Sequence, residues 1–275
     1  MSYVVEKKTK MFHLITRNLP HVEEKILSYL EPKDLVAAKL VSKAWHQKAK
    51  SYFIEQYLVK TRRERKIPLV DAAKMGYEDV VAFLIQDSNL NVNERGEFGF
   101  TALITAAYYG KARIVHLLLR RRDIDVNAAD GYGVTALKRA ILKGHVGVIK
   151  LLVERDDVAV NAADVHHNTT LQFAVIYGNE RSVEPLLMRT DIAVNAVGSF
   201  GHTPLIHAAK FGYAIAAEHL LNHPNIDVNI KDIHGKTALC HAKTMQIGNS
   251  EYDEMRKENK KKIILMLKNR LAKCC

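Results

Sequence analysis

The chain has 275 residues, 48% of them hydrophobic and 26% charged, a profile that suits an ordered protein with a sizeable core. Its net charge of +11 is uneven: residues 1–66 hold 15 Lys and Arg against 7 Asp and Glu, residues 67–250 hold 18 against 19, and residues 251–275 hold 8 against 4. The near-neutral middle argues against nucleic acid as a partner, no apolar run is long enough for a membrane span, and three cysteines, two of them adjacent, argue against a disulfide framework and for the cytoplasm.

Residues 1–18 read as a tail: Lys7, Lys8 and Lys10 precede no apolar core, so no secretory signal is expected. The text changes at Leu19-Pro20. Val22, Ile26, Leu27 and Leu30 fall on one helical face, Glu31-Pro32 breaks that helix, and Asp34 starts the next. Val36, Leu40, Val41 and Trp45 continue the apolar surface. Three short helices over 19–50 make a poor core alone, so they need a partner.

This stretch resembles an F-box. The blocks stand in order: Leu19-Pro20, then Ile26-Leu27 to Leu30, then Pro32 to Leu35, then Val41-Ser42-Lys43 to Trp45. Glu23-Glu24 departs from the family pattern by losing an apolar contact. The resemblance implies binding to the Skp adaptor of a cullin-type ubiquitin ligase, with Leu19, Pro20, Ile26, Leu27, Leu30, Leu35, Val41 and Trp45 as the contacts. Residues 51–65, with Tyr52, Ile54, Tyr57 and Leu58, read as a connecting helix without a Gly or Pro break.

From residue 66 to 245 one unit recurs about six times at a 34-residue period. A threonine opens it at Thr101, Thr135, Thr169, Thr203 and Thr237. A glycine follows at Gly76, Gly110, Gly144, Gly178 and Gly212. A Val-Asn pair closes it at Asn93, Asn127, Asn161, Asn195 and Asn229. The threonine is placed to cap a first helix. The glycine is placed to end it. Ile114, Val115, Leu117 and Leu118 mark the stripe of a second helix. In the fourth copy, Pro185 should kink or shorten that second helix.

These landmarks resemble the ankyrin repeat. The expected fold is all-α: an ankyrin-repeat solenoid of helix-turn-helix units with hairpin loops, preceded by a three-helix F-box-like segment. Ankyrin proteins grip partners with their hairpin tips and first helices. Here those positions are Phe98, Phe100, Tyr108, Tyr109, Tyr132, His166, Tyr177, Phe200, Phe211 and His234. Eight of the ten are Phe or Tyr in a chain that is 7% aromatic, so this face is the expected site for a protein substrate.

Residues 246–275 read as an insert, a capping helix and a basic tail. Ile263-Ile264-Leu265-Met266-Leu267 matches the second helix of earlier copies, delayed by 13 residues that extend the first helix or form a loop. The closing Cys274-Cys275 resembles a double lipidation signal, so membrane association is expected only if these two cysteines are lipidated. No enzyme chemistry, cofactor or metal site is expected. His166-His167, and His202 with His207, lack a carboxylate or cysteine at ligand spacing.

The combined expectation is a non-enzymatic, substrate-recruiting F-box subunit of a cullin-type ubiquitin ligase. The order of its modules resembles secreted effectors of intracellular bacteria, which would place it in the host cytoplasm. The competing expectation is an ankyrin scaffold or inhibitor whose N-terminal helices only cap the repeats.

Overall fold

The computed structural model describes residues 54, 55, 57–59, 68–164, 167–245 and 251–272, excepting the side chains of 251–254. The F-box-like blocks, the adaptor contacts Leu19 to Trp45, His166, Cys274 and Cys275 lie outside the described residues.

Among the described residues, twelve helices pair into six units. The first helices of the pairs are α1 (Pro68–Met75), α3 (Ala102–Tyr108), α5 (Ala136–Lys143), α7 (Thr170–Ile176), α9 (Pro204–Phe211) and α11 (Ala238–Thr244). The second helices are α2 (Glu78–Leu84), α4 (Ala112–Leu118), α6 (Val146–Val153), α8 (Val183–Leu187), α10 (Ala214–Asn222) and α12 (Glu251–Ala272). Each first helix packs on the next first helix, and each second helix on the next second, so the pairs stack as two rows. Among the described residues the hairpin loops form no strand, only an isolated bridge between Ala129 and Thr135.

The sequence landmarks explain the unit. Thr101, Thr135, Thr169, Thr203 and Thr237 each accept a hydrogen bond from the backbone N–H three residues on, as N-caps. Gly144 and Gly212 end α5 and α9 in the left-handed conformation. The alanine pairs Ala106-Ala107 and Ala208-Ala209 are fully buried where neighbouring first helices approach. Leu118, Leu152, Leu186 and Leu220 fill the space between the rows. Each is worth about 1.5–3 kcal/mol of burial.

Helices of 5 to 9 residues do not hold by themselves. Two ladders tie them. Asn127 donates to Asp157 O (2.7 Å) and accepts from Ala159 N (2.8 Å) in the next unit. Asn93, Asn161 and Asn195 repeat the pattern. The second ladder points backwards. Arg121, Arg155 and Arg189 each chelate the aspartate two residues on, then reach carbonyls at the C-terminus of the preceding second helix. Those carbonyls have no intrahelical donor, and a cation there also meets the negative end of the helix dipole.

The last unit departs as its sequence foretold, with one correction. The first helix does not absorb the insert: α11 ends at Thr244, and residues 251 onward lengthen α12 instead. Ile263 and Leu267 are fully buried, and Arg270 reaches His223 O and Pro224 O, the place Arg121, Arg155 and Arg189 take in earlier units. In the fourth unit, α8 is only five residues long behind a 3₁₀ turn at Glu180–Ser182. Pro185 has no N–H to bond an α-helical first turn, so the expected shortening is present.

At the other end, residues 54, 55 and 57–59 are helical and join the array. Ile54 and Tyr57 are buried in the common core. The Tyr57 hydroxyl donates to Pro68 O (2.8 Å) and Asp71 Oδ2 (3.1 Å), and its ring meets Tyr77 edge-on at 5.6 Å.

Replacing Asn127 by alanine removes both bonds of one rung while leaving the packing intact. We expect a loss of about 1–2 kcal/mol in urea unfolding. An unchanged midpoint would show that the ladder contributes nothing.

Candidate protein-interaction face

The hairpin tips come in two forms, decided by one residue. Asp130 and Asp232 start tips whose carboxylate Oδ1 accepts two backbone N–H bonds: from Tyr132 and Val134 in one, from His234 and Lys236 in the other. Gly96 and Gly198 stand at the equivalent positions and have no carboxylate to offer. Their tips turn instead through Phe98 (φ 57°) and Phe200 (φ 59°), each followed by a glycine also at positive φ. A bulky residue in that region is costly. The turn aims the carbonyl of Phe98 at Gly131 N (2.7 Å) and that of Phe200 at Ile233 N (3.2 Å), bonding each tip to the next. It also holds the two phenyl rings outward, 69% and 67% exposed.

Nine of the ten positions on this face lie among the described residues, and they are taken in two groups along the stack. Around the second and third units, Phe98, Tyr109 and Tyr132 are exposed, whereas Phe100 and Tyr108 are half-buried and pack on each other at 6.0 Å. Arg139 sits among them. Its guanidinium lies 5.1 Å from Phe100, 5.7 Å from Tyr132 and 6.0 Å from Tyr108. Its Nε and Nη2 donate to Asp130 Oδ2 at 2.7 and 2.6 Å. Lys143 Nζ stands 4.6 Å above the Tyr108 ring. Such cation–π contacts fix ring orientation as well as adding attraction.

Around the fourth to sixth units, Tyr177, Phe200 and Phe211 are exposed, with His234 beyond them. Tyr177 packs on Phe173 at 4.3 Å, and Phe211 stacks on His207 at 5.9 Å. Behind them lies a cluster of buried imidazoles. His241 Nε2 is 2.7 Å from Asp232 Oδ2, and His202 Nε2 is 3.7 Å from the same oxygen. The His207 ring meets His202 edge-on at 4.9 Å. Burial is the main cause that pushes His207 down to about 4, helped by the nearby charges of His202, Lys210 and His241. Burial likewise lowers His202, against the opposing pull of Asp232. Burial opposes the charge on Asp232, but the N–H groups of Lys236 and His234 and the His241 ring outweigh it and hold the carboxyl below its ordinary range. Sequence order alone had set His202 and His207 aside for want of a carboxylate; the stack supplies one from the next hairpin.

One further buried group escaped the sequence reading. Lys138 is 2% exposed, its Nζ 5.9 Å from the centre of the Phe173 ring. Burial lowers its pKa, with Asp164 acting the other way.

A model of ankyrin repeats matches the chain three times, over residues 69–164, 125–197 and 171–252. The chain belongs to the ankyrin-repeat family. An F-box-like model matches residues 20–53, so this ankyrin protein carries an F-box-like domain ahead of its array. Both modules are protein-interaction domains and typically non-catalytic, which makes the chain an interaction adaptor. Among curated proteins, none matches it. Similar solved structures include the ankyrin repeat domain of Bcl-3, titled a member of the IkappaB family (TM-score 0.64, 21% identity, 81% of this chain and 94% of that one). The ankyrin repeat protein EF0377 gives 0.62 at 22%, over 73% and 96%. An ankyrin repeat domain from Acinetobacter baumannii AYE gives 0.61 at 22%, over 74% and 97%. These likenesses concern the fold. Among the described residues, no helix is long and apolar enough to cross a membrane.

In this ankyrin array the Phe98 tip holds an outlying backbone with its ring in solvent, so the strain has no packing inside the chain to offset it. Phe98→Asn keeps the turn, since asparagine tolerates positive φ. We expect it to raise stability by about 1 kcal/mol in chemical unfolding. Tyr132→Asn, at a tip residue with ordinary φ, serves as the control and gains nothing. Loss of stability in Phe98→Asn would mean that the phenyl ring packs where the structure shows it exposed.

Proposed function

We propose that the chain is the substrate-recruiting subunit of a cullin-type ubiquitin ligase. The F-box-like domain docks on the Skp adaptor through Leu19, Pro20, Ile26, Leu27, Leu30, Leu35, Val41 and Trp45. The tips and first helices hold a protein substrate through Phe98, Phe100, Tyr108, Tyr109, Tyr132, Tyr177, Phe200 and Phe211. The observation that carries this reading is the order of modules: an F-box-like match at 20–53 running directly into helical residues bonded to the first repeat. The chain itself makes and breaks no bond in this role. It holds a substrate near the transfer machinery, which raises the effective concentration of the reacting groups.

Several features of the face suit it to a protein partner. Tyr and Phe dominate protein anchors, since they bury much area at a small entropy cost. The strain at Phe98 and Phe200 also supports the reading, because outlying backbone persists where a function needs the side chain displayed. Such a subunit works in the cytoplasm, and in the host's if the chain is a secreted effector. Lipidation of Cys274 and Cys275 would bring it to a membrane surface.

Calorimetric titration of the full chain with the Skp adaptor tests the reading. We expect a dissociation constant of micromolar or tighter, lost in Leu19→Ala/Pro20→Ala with an unchanged melting curve. No binding by the folded wild type would overturn it and leave an ankyrin scaffold with a helical cap. Trp45→Ala separates core from anchor: a loss of adaptor affinity of about 2 kcal/mol or more with an unchanged melting temperature assigns Trp45 to the interface.

A further inference from the structure

The joints between successive repeats share a three-position frame, and its occupants differ. Between the second and third units the frame holds Phe100, Asp130 and Arg139. Between the fifth and sixth it holds His202, Asp232 and His241, each 102 residues on. The carboxylate is common to both joints and its side chain is fully buried in both. In the first joint a permanent cation neutralises it, since Arg139 donates from Nε and Nη2 to Asp130 Oδ2. In the second joint that arginine has become an imidazole, and the phenyl ring opposite has become another. A buried carboxylate is stabilised by a counter-charge or by hydrogen bonds, and a neutral imidazole offers one N–H and one lone pair but no permanent charge.

The geometry is that of a ligand set. His202 Nε2, Asp232 Oδ2 and His241 Nε2 all lie within 4.8 Å of one another. In a tetrahedral zinc site, with bonds of about 2.0–2.1 Å, ligand atoms stand roughly 3.3 Å apart. Here the two imidazole nitrogens are 2.7 and 3.7 Å from the carboxylate oxygen, so small rotations bring the set to that spacing. Asp232 is also oriented for the task. Its Oδ1 is held by His234 N and Lys236 N, both at 2.8 Å, which leaves Oδ2 facing the imidazoles. Outer bonds of this kind fix the orientation of metal ligands. The adjoining His207, whose ring meets His202 edge-on at 4.9 Å, has both ring nitrogens buried and without a hydrogen-bond partner among the described residues, so a third imidazole stands beside the set.

We propose that His202, Asp232 and His241 bind a divalent transition-metal ion of zinc type at the joint of the fifth and sixth repeats. Two imidazoles and one carboxylate suit Zn²⁺ and exclude the harder Mg²⁺ and Ca²⁺, which take oxygen ligands. Three protein ligands leave one coordination position open. The ion would tie the fifth hairpin, the sixth hairpin and α11 together, taking over the neutralising role that Arg139 plays in the earlier joint. Because the ligands come from two units, binding the ion would also stabilise the stacking of the last repeat.

The experiment uses the full chain carrying Cys274→Ser and Cys275→Ser, so that the terminal thiols do not count. The protein is stripped with chelator, loaded with zinc chloride, freed of excess by gel filtration, and assayed for zinc per chain. We expect one Zn²⁺ per chain, and a melting temperature raised by roughly 5–10 °C at a hundredfold excess over the dissociation constant. Magnesium chloride at the same concentration should change nothing. His241→Gln, at the partly exposed edge of the cluster, should lower zinc affinity at least tenfold while the circular dichroism spectrum stays that of the parent. Asp232→Asn, which keeps an oxygen for the hairpin turn, should do the same and guards against a folding defect in the first variant. The proposal is overturned if the parent retains no zinc, or binds it only in the millimolar range. It is overturned equally if folded His241→Gln and Asp232→Asn bind zinc as tightly as the parent.

Discussion

Side chains that reach the backbone of a neighbouring unit hold this array in register. Asn93, Asn127, Asn161 and Asn195 each bridge an N–H and a C=O of the following unit, and each arginine of the second ladder reaches carbonyls of the preceding one. Helices of this length are unstable alone, and a single pair leaves its apolar face open. Burial between the rows supplies the attraction, but apolar contact is non-directional. The two ladders convert attraction into one spacing. Their partners in the neighbouring unit are main-chain groups, so a rung survives a change of side chain there. That independence frees the hairpin tips and the outer sides of the first helices to vary without loosening the stack.

The tips use that freedom through a single choice. With aspartate at the head of the turn, as at Asp130 and Asp232, the carboxylate satisfies the backbone, and the next aromatic or imidazole takes ordinary dihedrals. With glycine, as at Gly96 and Gly198, the backbone bonds forward to the next tip, and a phenylalanine is carried into the left-handed region. Asparagine or glycine would meet the backbone demand better than phenylalanine. The ring therefore answers to something other than the turn, which on the proposed function is the bound partner.

The repeat was legible because its rules are local. Thr101 and its successors cap the helix three residues away, and the glycines end helices next door, so a reading along the chain finds both. Pro185 was legible for the same reason, since a missing N–H acts within one turn. The delay of the last helix was legible as a count, yet its resolution was not: whether extra residues join α11 or α12 depends on where Ile263, Leu267 and Arg270 meet α10. The arginine ladder went unread although Arg121, Arg155 and Arg189 stand at the period of the other landmarks, because their role lies in carbonyls of another unit. The aromatic face was read as one surface. The half-burial of Phe100 and Tyr108 goes with Arg139 and Lys143, which lie over their rings and belong to the next unit.

The same limit hid the imidazole cluster and also explains how such a cluster arises. His202 and Asp232 are far apart in sequence, but in a stack they are neighbours by construction, as Phe100 and Asp130 are. A repeated frame thus offers the same buried carboxylate at two joints, and the residues facing it decide what neutralises it. Arginine does so permanently and from within the chain. Two histidines supply no permanent charge and can take an ion from outside, which on the proposed assignment makes the C-terminal joint conditional where the joint at Arg139 is fixed. The last repeat can then be loosened or locked without disturbing the units nearest the F-box-like domain, because in a stack each joint is felt mainly by its immediate neighbours.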